Sequence, residues 1–271
     1  MKGAVLGLLA SLLFAAPAAV RAQFGYSTNA DGVSCTVTNY TGPGGAVVIP
    51  TNINGLLVTG IGSGNFLLPS PFSSLTSVTI PNSVTSIGGF ALSYTVLTNV
   101  TIPNSVTDIG NSAFAFCTNL TNITIPNNVT NIGEEAFGGC HRLTGVYFRG
   151  NAPTLGFWAF AAGRGAPTYD PATVYYLPGA GGWSSTFGDL PAIEWNPLIQ
   201  TTDGSFGISN NLFGFNITGT NNFTVVVEAS TNLVNPVWVP LQTNTLVNGS
   251  FYFSDPQWGN YPNRFYGLAM P

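Results

Sequence analysis

The sequence contains a 23-residue unit that occurs twice in direct succession. Residues 97–119 read LTNVTIPNSVTDIGNSAFAFCTN, and residues 120–142 read LTNITIPNNVTNIGEEAFGGCHR. A copy shortened by one residue precedes them at 75–96, and a fourth copy begins at Leu143 and then departs from the pattern. A fixed period of this length is typical of proteins in which each repeat stacks on the previous one. We therefore predict a solenoid.

Apolar residues recur at the same offsets in each copy, so stacking would turn each offset into an apolar column. In the 97–119 copy these residues are Leu97, Val100, Ile102, Val106, Ile109, Ala113, Phe114 and Cys117. The strand of each copy ends at a proline, where a missing N–H costs least: Pro81, Pro103 and Pro126. A glycine column predicts a corner with an unusual backbone conformation; its members are Gly88, Gly110 and Gly133. A short helical turn is expected to close each copy.

The first 22 residues have the pattern of a secretory signal peptide. One lysine is followed by an apolar run and then by small residues, with Val20-Arg21-Ala22 as the cleavage signal. Cleavage before Gln23 would leave 249 residues (271 − 22). No other stretch approaches the roughly 18 apolar residues of a membrane-spanning helix. We expect an exported chain, secreted or at the cell surface, without membrane insertion after cleavage.

The mature chain would carry little charge. Only 6% of all residues are charged, against roughly 25% in an average soluble domain. Loss of Lys2 and Arg21 leaves 4 basic and 10 acidic side chains, a net charge of −6 (4 − 10). Such a balance offers no cationic surface to nucleic acid or anionic lipid. We predict that nucleic acid is not a partner.

Pattern and composition divide the remainder into three parts. Residues 23–66 are predicted to form an N-terminal cap with a degenerate first repeat, and residues 67–195 the solenoid with its C-terminal cap. Three aromatic residues are expected to plug the end of the stack: Trp183, Phe187 and Trp195. Residues 196–271 contain alternating runs such as NFTVVVEAS and SFYFSD. These runs predict a small β-sandwich.

The repeat resembles the leucine-rich repeats of the BspA-like family, which are secreted or cell-surface bacterial proteins. The resemblance rests on the consensus LTxVTIPxSVTxIGxxAFxxCxx, recurs in three copies, and extends over roughly residues 47–160. It implies a mainly β solenoid of short strands and short helical turns, and an adhesion or interaction protein instead of a catalyst. The segment 228–257, with the closing NRFYGLAM, resembles a terminal module of verrucomicrobia-type secreted proteins, which implies a fold and no particular activity.

The cysteines leave two arrangements open. Cys117 and Cys140 lie one period apart and should occupy the same column in adjacent repeats. Neighbouring strands are about 5 Å apart, which is compatible with the Cα separation of a disulfide. However, both side chains would point into the core, where the resemblance implies buried thiols. No Cys-x-x-Cys or Cys/His spacing predicts a zinc site, and we expect no cofactor.

No constellation of residues points to catalysis. The single histidine, His141, lies beside Arg142 after the Cys140 turn, where a solvated loop residue is expected. Glu134 and Glu135 open the predicted helical turn, which is a favourable place for acidic groups. Two carboxylates facing each other across a cleft are the one enzymatic arrangement that the ten acids leave open. We predict that the protein is not an enzyme.

The exposed strand surface is the predicted binding site. Between the buried offsets, hydroxyls and amides recur in each copy and would form a flat, uncharged ladder. Its members are Ser77, Thr79, Asn99, Thr101, Asn122, Thr124 and, in the last strand, Tyr147. Strand propensity and solvation alone also favour such residues, so a purely structural surface stays open.

We predict a secreted, non-catalytic binding or adhesion protein that contacts an extracellular protein through this strand face. The alternative is a carbohydrate-binding protein that acts through the C-terminal β-sandwich. In that case Trp238, Trp258 and Tyr261 could stack on sugar rings. Burial of these aromatic residues inside the sandwich is the competing explanation.

Overall fold

A computed structural model describes residues 23–63, 75–161 and 172–271. These residues form strands and turns, with a single turn of 3-10 helix at Trp258–Asn260. The predicted signal peptide, residues 1–22, lies outside the described residues, as does the predicted start of the solenoid at residue 67. In the part of the chain that the structure describes, no helix is long and apolar enough to cross a membrane.

The prediction of a mainly β solenoid is confirmed. The strands up to the end of the solenoid are β1 Phe24–Thr28, β2 Ser34–Tyr40, β3 Gly45–Val48, β4 Asn52–Ile53, β5 Leu56–Ile61, β6 Leu75–Thr79, β7 Ser86–Ile87, β8 Asn99–Thr101, β9 Asp108–Ile109, β10 Asn122–Ile125, β11 Asn131–Ile132, β12 Gly145–Phe148, β13 Thr154–Leu155, β14 Thr173–Tyr176, β15 Thr186–Phe187 and β16 Leu190–Glu194. The later strands are β17 Leu198–Ile199, β18 Gly207–Ser209, β19 Leu212–Thr218, β20 Thr224–Ser230, β21 Val239–Thr245, β22 Ser250–Asp255 and β23 Phe265–Ala269.

Equivalent strands of successive repeats lie side by side along two faces of the solenoid. On the first, here called the strand face, β3, β6 and β8 form one parallel sheet, and β10, β12, β14 and β16 form another. On the second face, β5, β7, β9, β11 and β13 pair in that order. The registers place equivalent residues side by side, for example Val78 with Val100 and Ile87 with Ile109. Each apolar offset therefore becomes a column.

The segments predicted as short helical turns are successive tight turns that bond alternately within and between repeats. The N–H of Ala115 donates to Ser112 O in its own repeat at 3.0 Å, whereas the N–H of Phe114 donates to Ala136 O in the next repeat at 2.8 Å. Left-handed residues recur at equivalent positions of these segments: Phe90, Ser112, Glu135 and Trp158 have φ between 52° and 58°, and Tyr94, Phe116 and Gly139 have φ between 57° and 71°. The turns thus add a third ladder of hydrogen bonds to the two strand ladders.

Aromatic rings and thiols fill the core under these turns. Phe114, Phe137 and Phe160 are fully buried and stack with centroids 5.3 and 5.5 Å apart. Cys117 and Cys140 are buried, and no disulfide joins them. Their thiols donate to the carbonyl oxygens of Leu92 and Phe114, at 3.3 and 3.2 Å. Of the two arrangements that the sequence leaves open, a disulfide or a pair of buried thiols, the structure therefore has the buried thiols.

The glycine column is required for a reason other than the one predicted. None of Gly88, Gly110 and Gly133 has a positive φ. Instead, a Cβ on Gly110 would lie 2.6 Å from the Gly89 nitrogen, and one on Gly133 would lie 2.5 Å from the Asn111 nitrogen. Both nitrogens belong to the backbone of the preceding repeat, which cannot move aside without opening the stack. Glycine therefore sets the distance between repeats at this corner.

Residues 196–271 form two antiparallel sheets. One has the order β17-β19-β18 with β22 beside β19, and the other has the order β21-β20-β23. Tyr266 of the second sheet packs on Phe213 and Phe253 of the first, with centroid distances of 5.0 and 5.9 Å. Its hydroxyl donates to Asp255 Oδ2 at 3.0 Å, and Arg264 Nε forms an ion pair with the same oxygen at 2.5 Å. The two sheets therefore share an aromatic and polar interior.

The buried apolar residues form two clusters, one inside the solenoid and one where these two sheets meet its end. The second cluster comprises Tyr147, Tyr175, Trp195, Phe215, Ile217, Phe223, Val225, Val227, Leu246, Phe253 and Met270. Trp183 and Phe187 pack on Phe148 of the solenoid core, as predicted for plugging residues. Trp195 does not join them: it lies in the second cluster, and its indole Nε1 donates to Thr224 O at 3.3 Å. The prediction that Trp195 plugs the stack is therefore wrong, because β20 provides it with another place to be buried.

The close approach of the repeats predicts that Gly110→Ala is strongly destabilising. The added methyl group would overlap backbone atoms of the preceding repeat, and overpacking of this kind costs about 2 kcal/mol. Urea unfolding would measure the loss. Gly259→Ala is the matched control, because a Cβ there meets no atom within 4 Å and the φ is not positive. Equal effects of the two substitutions would contradict the steric explanation.

Candidate binding surface

Six of the seven predicted binding residues form one uncharged strip on the strand face. The pairing of β6 with β8 places Ser77 beside Asn99 and Thr79 beside Thr101. Asn122 and Thr124 hold the same offsets on β10, the next strand. The exposed members are Thr79, Asn99, Thr101 and Asn122, and the half-buried members are Ser77 and Thr124. The structure therefore brings these six side chains to one surface, called here the polar strip.

Tyr147 points to the same side as the strip but is covered. Its side chain is 2% exposed, and its ring stacks on Tyr175 with centroids 5.0 Å apart. Both tyrosines belong to the second cluster with Trp195, and the Tyr175 ring packs edge-on against Phe223 with centroids 5.0 Å apart. Burial raises the pKa of the Tyr147 phenol to about 12. The expectation that Tyr147 is an exposed binding residue is wrong, because the C-terminal sheets cover the strand face at β12 and β14.

The strand face is interrupted between β8 and β10. At neighbouring steps the repeats are joined: Thr98 N donates to Thr76 O at 3.0 Å, and Thr144 N donates to Thr121 O at 2.8 Å. Within these described strands, the equivalent bond from Thr121 N to Thr98 O is absent, and β8 and β10 end separate sheets. Among the described strands of this face, from β3 to β16, β8 and β10 are the one pair of neighbours that no hydrogen bonds join.

The same two repeats remain bonded on their other sides. On the second face, β9 pairs with β11 in register, and Thr130 N donates to Thr107 O at 2.9 Å. In the turns, Phe114 N donates to Ala136 O at 2.8 Å. Between these two repeats, hydrogen bonds are therefore missing on the strand face alone, where β8 and β10 lie side by side without pairing.

A groove of about 410 Å³ lies at this unpaired step. Its walls are residues 98–102 and 121–124, so that four members of the polar strip, Asn99, Thr101, Asn122 and Thr124, line it. Arg149 and Pro271 also contribute to the lining. The Thr124 hydroxyl donates to the carbonyl oxygen of Pro271. The groove therefore combines main-chain groups, amides and hydroxyls, with one cationic side chain.

The sequence does not indicate the groove or the contributions of Arg149 and Pro271 to its lining. The strand segments LTNVTIPN and LTNITIPN differ only at Val100 and Ile123. Nothing in them indicates that their pairing would be interrupted. Thr124 and Pro271 are 147 residues apart, and no repeat pattern connects residues at that distance.

A second cavity of about 370 Å³ lies where the C-terminal sheets meet the solenoid. Trp238, Glu228 and Arg149 are among the residues that line it. Burial raises the pKa of the Glu228 carboxyl, and the positive charge of Arg149 opposes that rise. An aromatic face beside a carboxylate and a guanidinium is suited to a neutral ligand that has both apolar and hydrogen-bonding groups.

The three aromatic residues of the carbohydrate hypothesis do not meet in one site. Trp258 and Tyr261 are not among the residues lining the cavity that contains Trp238. The indole of Trp258 donates to Asn211 O at 3.1 Å, and the ring of Tyr261 lies under the Arg264 guanidinium at 4.2 Å. Of the three residues, only Trp238 faces this cavity.

The residues weighed for chemistry are dispersed. His141 is exposed, and Glu134 and Glu135 lie in a turn, where Glu135 has a φ of 52°. No helix begins there, so the predicted favourable helix terminus does not exist. Among the described residues, no three His, Cys, Asp or Glu side chains are grouped as metal ligands would be.

Burial of Tyr147 predicts a loss of stability in alkaline solution. Its phenol ionises near pH 10 in the unfolded chain, but its pKa is about 12 in the folded chain. Ionisation therefore favours the unfolded chain above pH 10. The stability is fully present below pH 10 and is lost as the pH rises through 12.

The variant Tyr147→Phe should reduce this loss by about 1.4 kcal/mol at pH 11, which corresponds to one pH unit above the unfolded pKa. Guanidinium unfolding at pH 8 and pH 11 would measure it. Tyr252→Phe, at an exposed position, is the control. If both variants lose as much stability as the parent, the coupling between Tyr147 burial and alkaline stability does not exist.

Comparison with solved structures finds leucine-rich-repeat proteins at low identity. The T. pallidum leucine-rich-repeat protein is 20% identical, over 63% of this chain and 89% of that chain, with a TM-score of 0.38. One from Bacteroides ovatus is 19% identical, over 64% and 66%, with a TM-score of 0.35. A leucine-rich cell surface protein from Faecalibacterium prausnitzii is 21% identical, over 64% and 75%, with a TM-score of 0.27. Scores this low carry no inference about function.

No curated protein matches the chain. A family model does match part of it: the model described as BspA type leucine-rich repeat region aligns with residues 57–164 in six copies. The matched segment contains the stacked repeats, their glycine corner and the turns with left-handed residues. Residues 57–164 therefore match the model of a BspA-type leucine-rich-repeat region.

Proposed function

We propose that this is a secreted or cell-surface protein that binds an extracellular protein through the polar strip and does not catalyse a reaction. BspA-type repeats are typical of bacterial interaction and adhesion proteins, and residues 57–164 match the model of such a region. The predicted signal peptide supports export.

The observation that carries the proposal is the exposed part of the strand face. From β12 onward, the C-terminal sheets cover it, as the burial of Tyr147 and Tyr175 shows. Between β6 and β10 it stays open, uncharged, and rich in amides and hydroxyls that both donate and accept hydrogen bonds. A surface with these groups and a groove across it can satisfy the polar groups of a protein partner without burying an unpaired charge.

The decisive variant combines Asn99→Arg with Asn122→Arg. Both side chains are exposed, so the fold should persist, while two long cations placed on either side of the groove should block contact and repel each other. We expect affinity for the partner, isolated with the full chain from the extracellular protein fraction, to fall at least 10-fold in surface plasmon resonance.

The matched control adds the same charge elsewhere. Val33→Arg with Val247→Arg changes two residues that are each 68% exposed and lie outside the strip. Circular dichroism would check that both variants stay folded. Binding that is unchanged in the strip variant, or lost equally in both variants, would remove the strip from the proposed function.

A second candidate function is carbohydrate binding at the cavity that contains Trp238. The observation favouring it is the combination of an indole face with Glu228 and Arg149 in that cavity, because sugars stack on aromatic rings while charged groups bond their hydroxyls. On a glycan array, saturable binding that survives the strip variant but is lost in Trp238→Ala would establish this function instead. Trp258→Ala, outside the cavity, is the control.

A further inference from the structure

The C-terminal sheet of order β21-β20-β23 has one edge that is exposed along its length. β21 pairs with β20 on one side, and on its other side none of the described strands pairs with it. Six of its seven residues are exposed, whereas all five residues of β23, the opposite edge, are half-buried. Because neighbouring residues of a strand point to opposite faces, β21 has both of its faces open to solvent.

Two residues of this edge turn their main-chain groups outward. Leu246, directly after β21, turns its own main chain toward Phe223, because its N–H donates to Phe223 O at 2.7 Å. The register of Thr243 and Thr245 with β20 is regular, and the main-chain groups of successive strand residues alternate between the two sides. The N–H and C=O groups of Thr243 and Thr245 therefore point away from β20. Unpaired groups on a strand edge are a template for another strand.

The part of the edge that can pair has a defined length and centre. Pro240 has no N–H to donate, and the register shifts at a bulge opposite Pro240 and Gln242. The regular edge therefore extends from Leu241 to Thr245, with Thr243 in the middle. Two copies of this edge that meet antiparallel place Thr243 opposite itself and Leu241 opposite Thr245 of the second copy. In that arrangement the two Thr243 residues can exchange both of their N–H···O bonds.

Apolar side chains are concentrated at the start of the same strand. Five large ones within residues 233–241 are between 36% and 86% exposed: Leu233, Val234, Val237, Val239 and Leu241. Exposed apolar groups gathered in this way mark a surface that contacts another protein. In an antiparallel pair of β21 strands, this apolar segment of each copy lies beside the end of the other copy's strand. Its burial there would add apolar area to the main-chain pairing.

The absence of charge around the edge favours a second copy of the chain as its occupant. Residues 229–254 contain no Asp, Glu, Lys or Arg, whereas the whole chain has a net charge of −4. Two copies with the same net charge repel each other, and an uncharged edge lets them meet without placing like charges together. A charged partner would be matched by complementary charges on the edge, and this segment offers none.

We infer that the chain forms a two-fold symmetric dimer in which the β21 strands of two copies pair antiparallel around Thr243. The pairing joins two three-stranded sheets into one sheet of six strands. Two-fold dimers are the commonest protein oligomers, and their interface uses the same surface of both copies. The interface lies within residues 233–245, outside the polar strip. The inference therefore goes beyond the proposed function and does not depend on it.

Sedimentation velocity of the full chain over a range of concentrations tests the dimer, and a charge exchange at Thr243 tests the register. Thr243→Glu places two carboxylates opposite each other, and Thr243→Lys places two ammonium groups there. Because like charges directly opposite destabilise a strand pair, each variant alone should have a dimer dissociation constant at least 10-fold above that of the parent. An equimolar mixture of the two variants should recover the dimer, since Glu then faces Lys.

The matched control makes the same two substitutions at Thr201, which is exposed in the segment after β17. Thr201→Glu and Thr201→Lys should each dimerise like the parent, alone and mixed. A parent that is monomeric at every concentration would overturn the inference. A dimer that neither Thr243 variant weakens, or folded variants whose mixture does not recover it, would also overturn it.

Hydrogen exchange of the parent gives a second test that needs no substitution. The amides of Thr243 and Thr245 should exchange at least 10-fold more slowly at a concentration at which the dimer predominates than at one at which the monomer does, as measured by nuclear magnetic resonance. Circular dichroism would check the Thr243 variants, and if either fails to fold, the exchange measurement decides. Equal exchange rates at the two concentrations would overturn pairing at this edge.

Discussion

The structure depends on the distance between consecutive repeats. Hydrogen bonds along three sides of the solenoid require that each repeat lies directly on the next, and the glycine corner makes that approach sterically possible. Gly110 and Gly133 face backbone nitrogens of the preceding repeat at distances that no side chain tolerates. The apolar columns then close over Phe114, Phe137 and Phe160, whose rings stack 5.3 and 5.5 Å apart. Core packing and backbone pairing therefore impose the same spacing.

The sequence predicts the stacked repeats well because the same pattern of apolar residues occurs in three successive copies. Offsets such as Val78 and Val100 become neighbours in register, and Cys117 and Cys140 fall in one buried column, as expected. The physical reason for the glycine column could not be predicted in this way. A glycine at a corner is explained equally by a positive φ or by a close neighbour, and only the position of the preceding repeat decides between them.

The proposed binding surface was only partly predictable, for a related reason. Exposure of a strand residue depends on what lies over the sheet. The repeat pattern assigns Tyr147 and Asn122 to the same side of the strand face, but β20 and its neighbours bury Tyr147 and leave Asn122 free. Contacts between distant parts of the chain decide that difference, and no local pattern records them. The groove escapes prediction likewise, since nearly identical strand segments border it on both sides.

The open step between β8 and β10 also has a mechanical consequence. In a stacked array, each repeat is stabilised by its two neighbours, so that stability is close to a sum of nearest-neighbour couplings. The coupling between residues 97–119 and 120–142 has lost one of its three hydrogen-bonded ladders. The contact between these two repeats is therefore the weakest in the solenoid, and deformation caused by bending or pulling would concentrate there. On its C-terminal side, the C-terminal sheets brace the neighbouring repeats through Tyr147 and Tyr175. A chain under tension would therefore yield first at this groove, and the load would alter the shape of the groove before it unfolded either half of the stack.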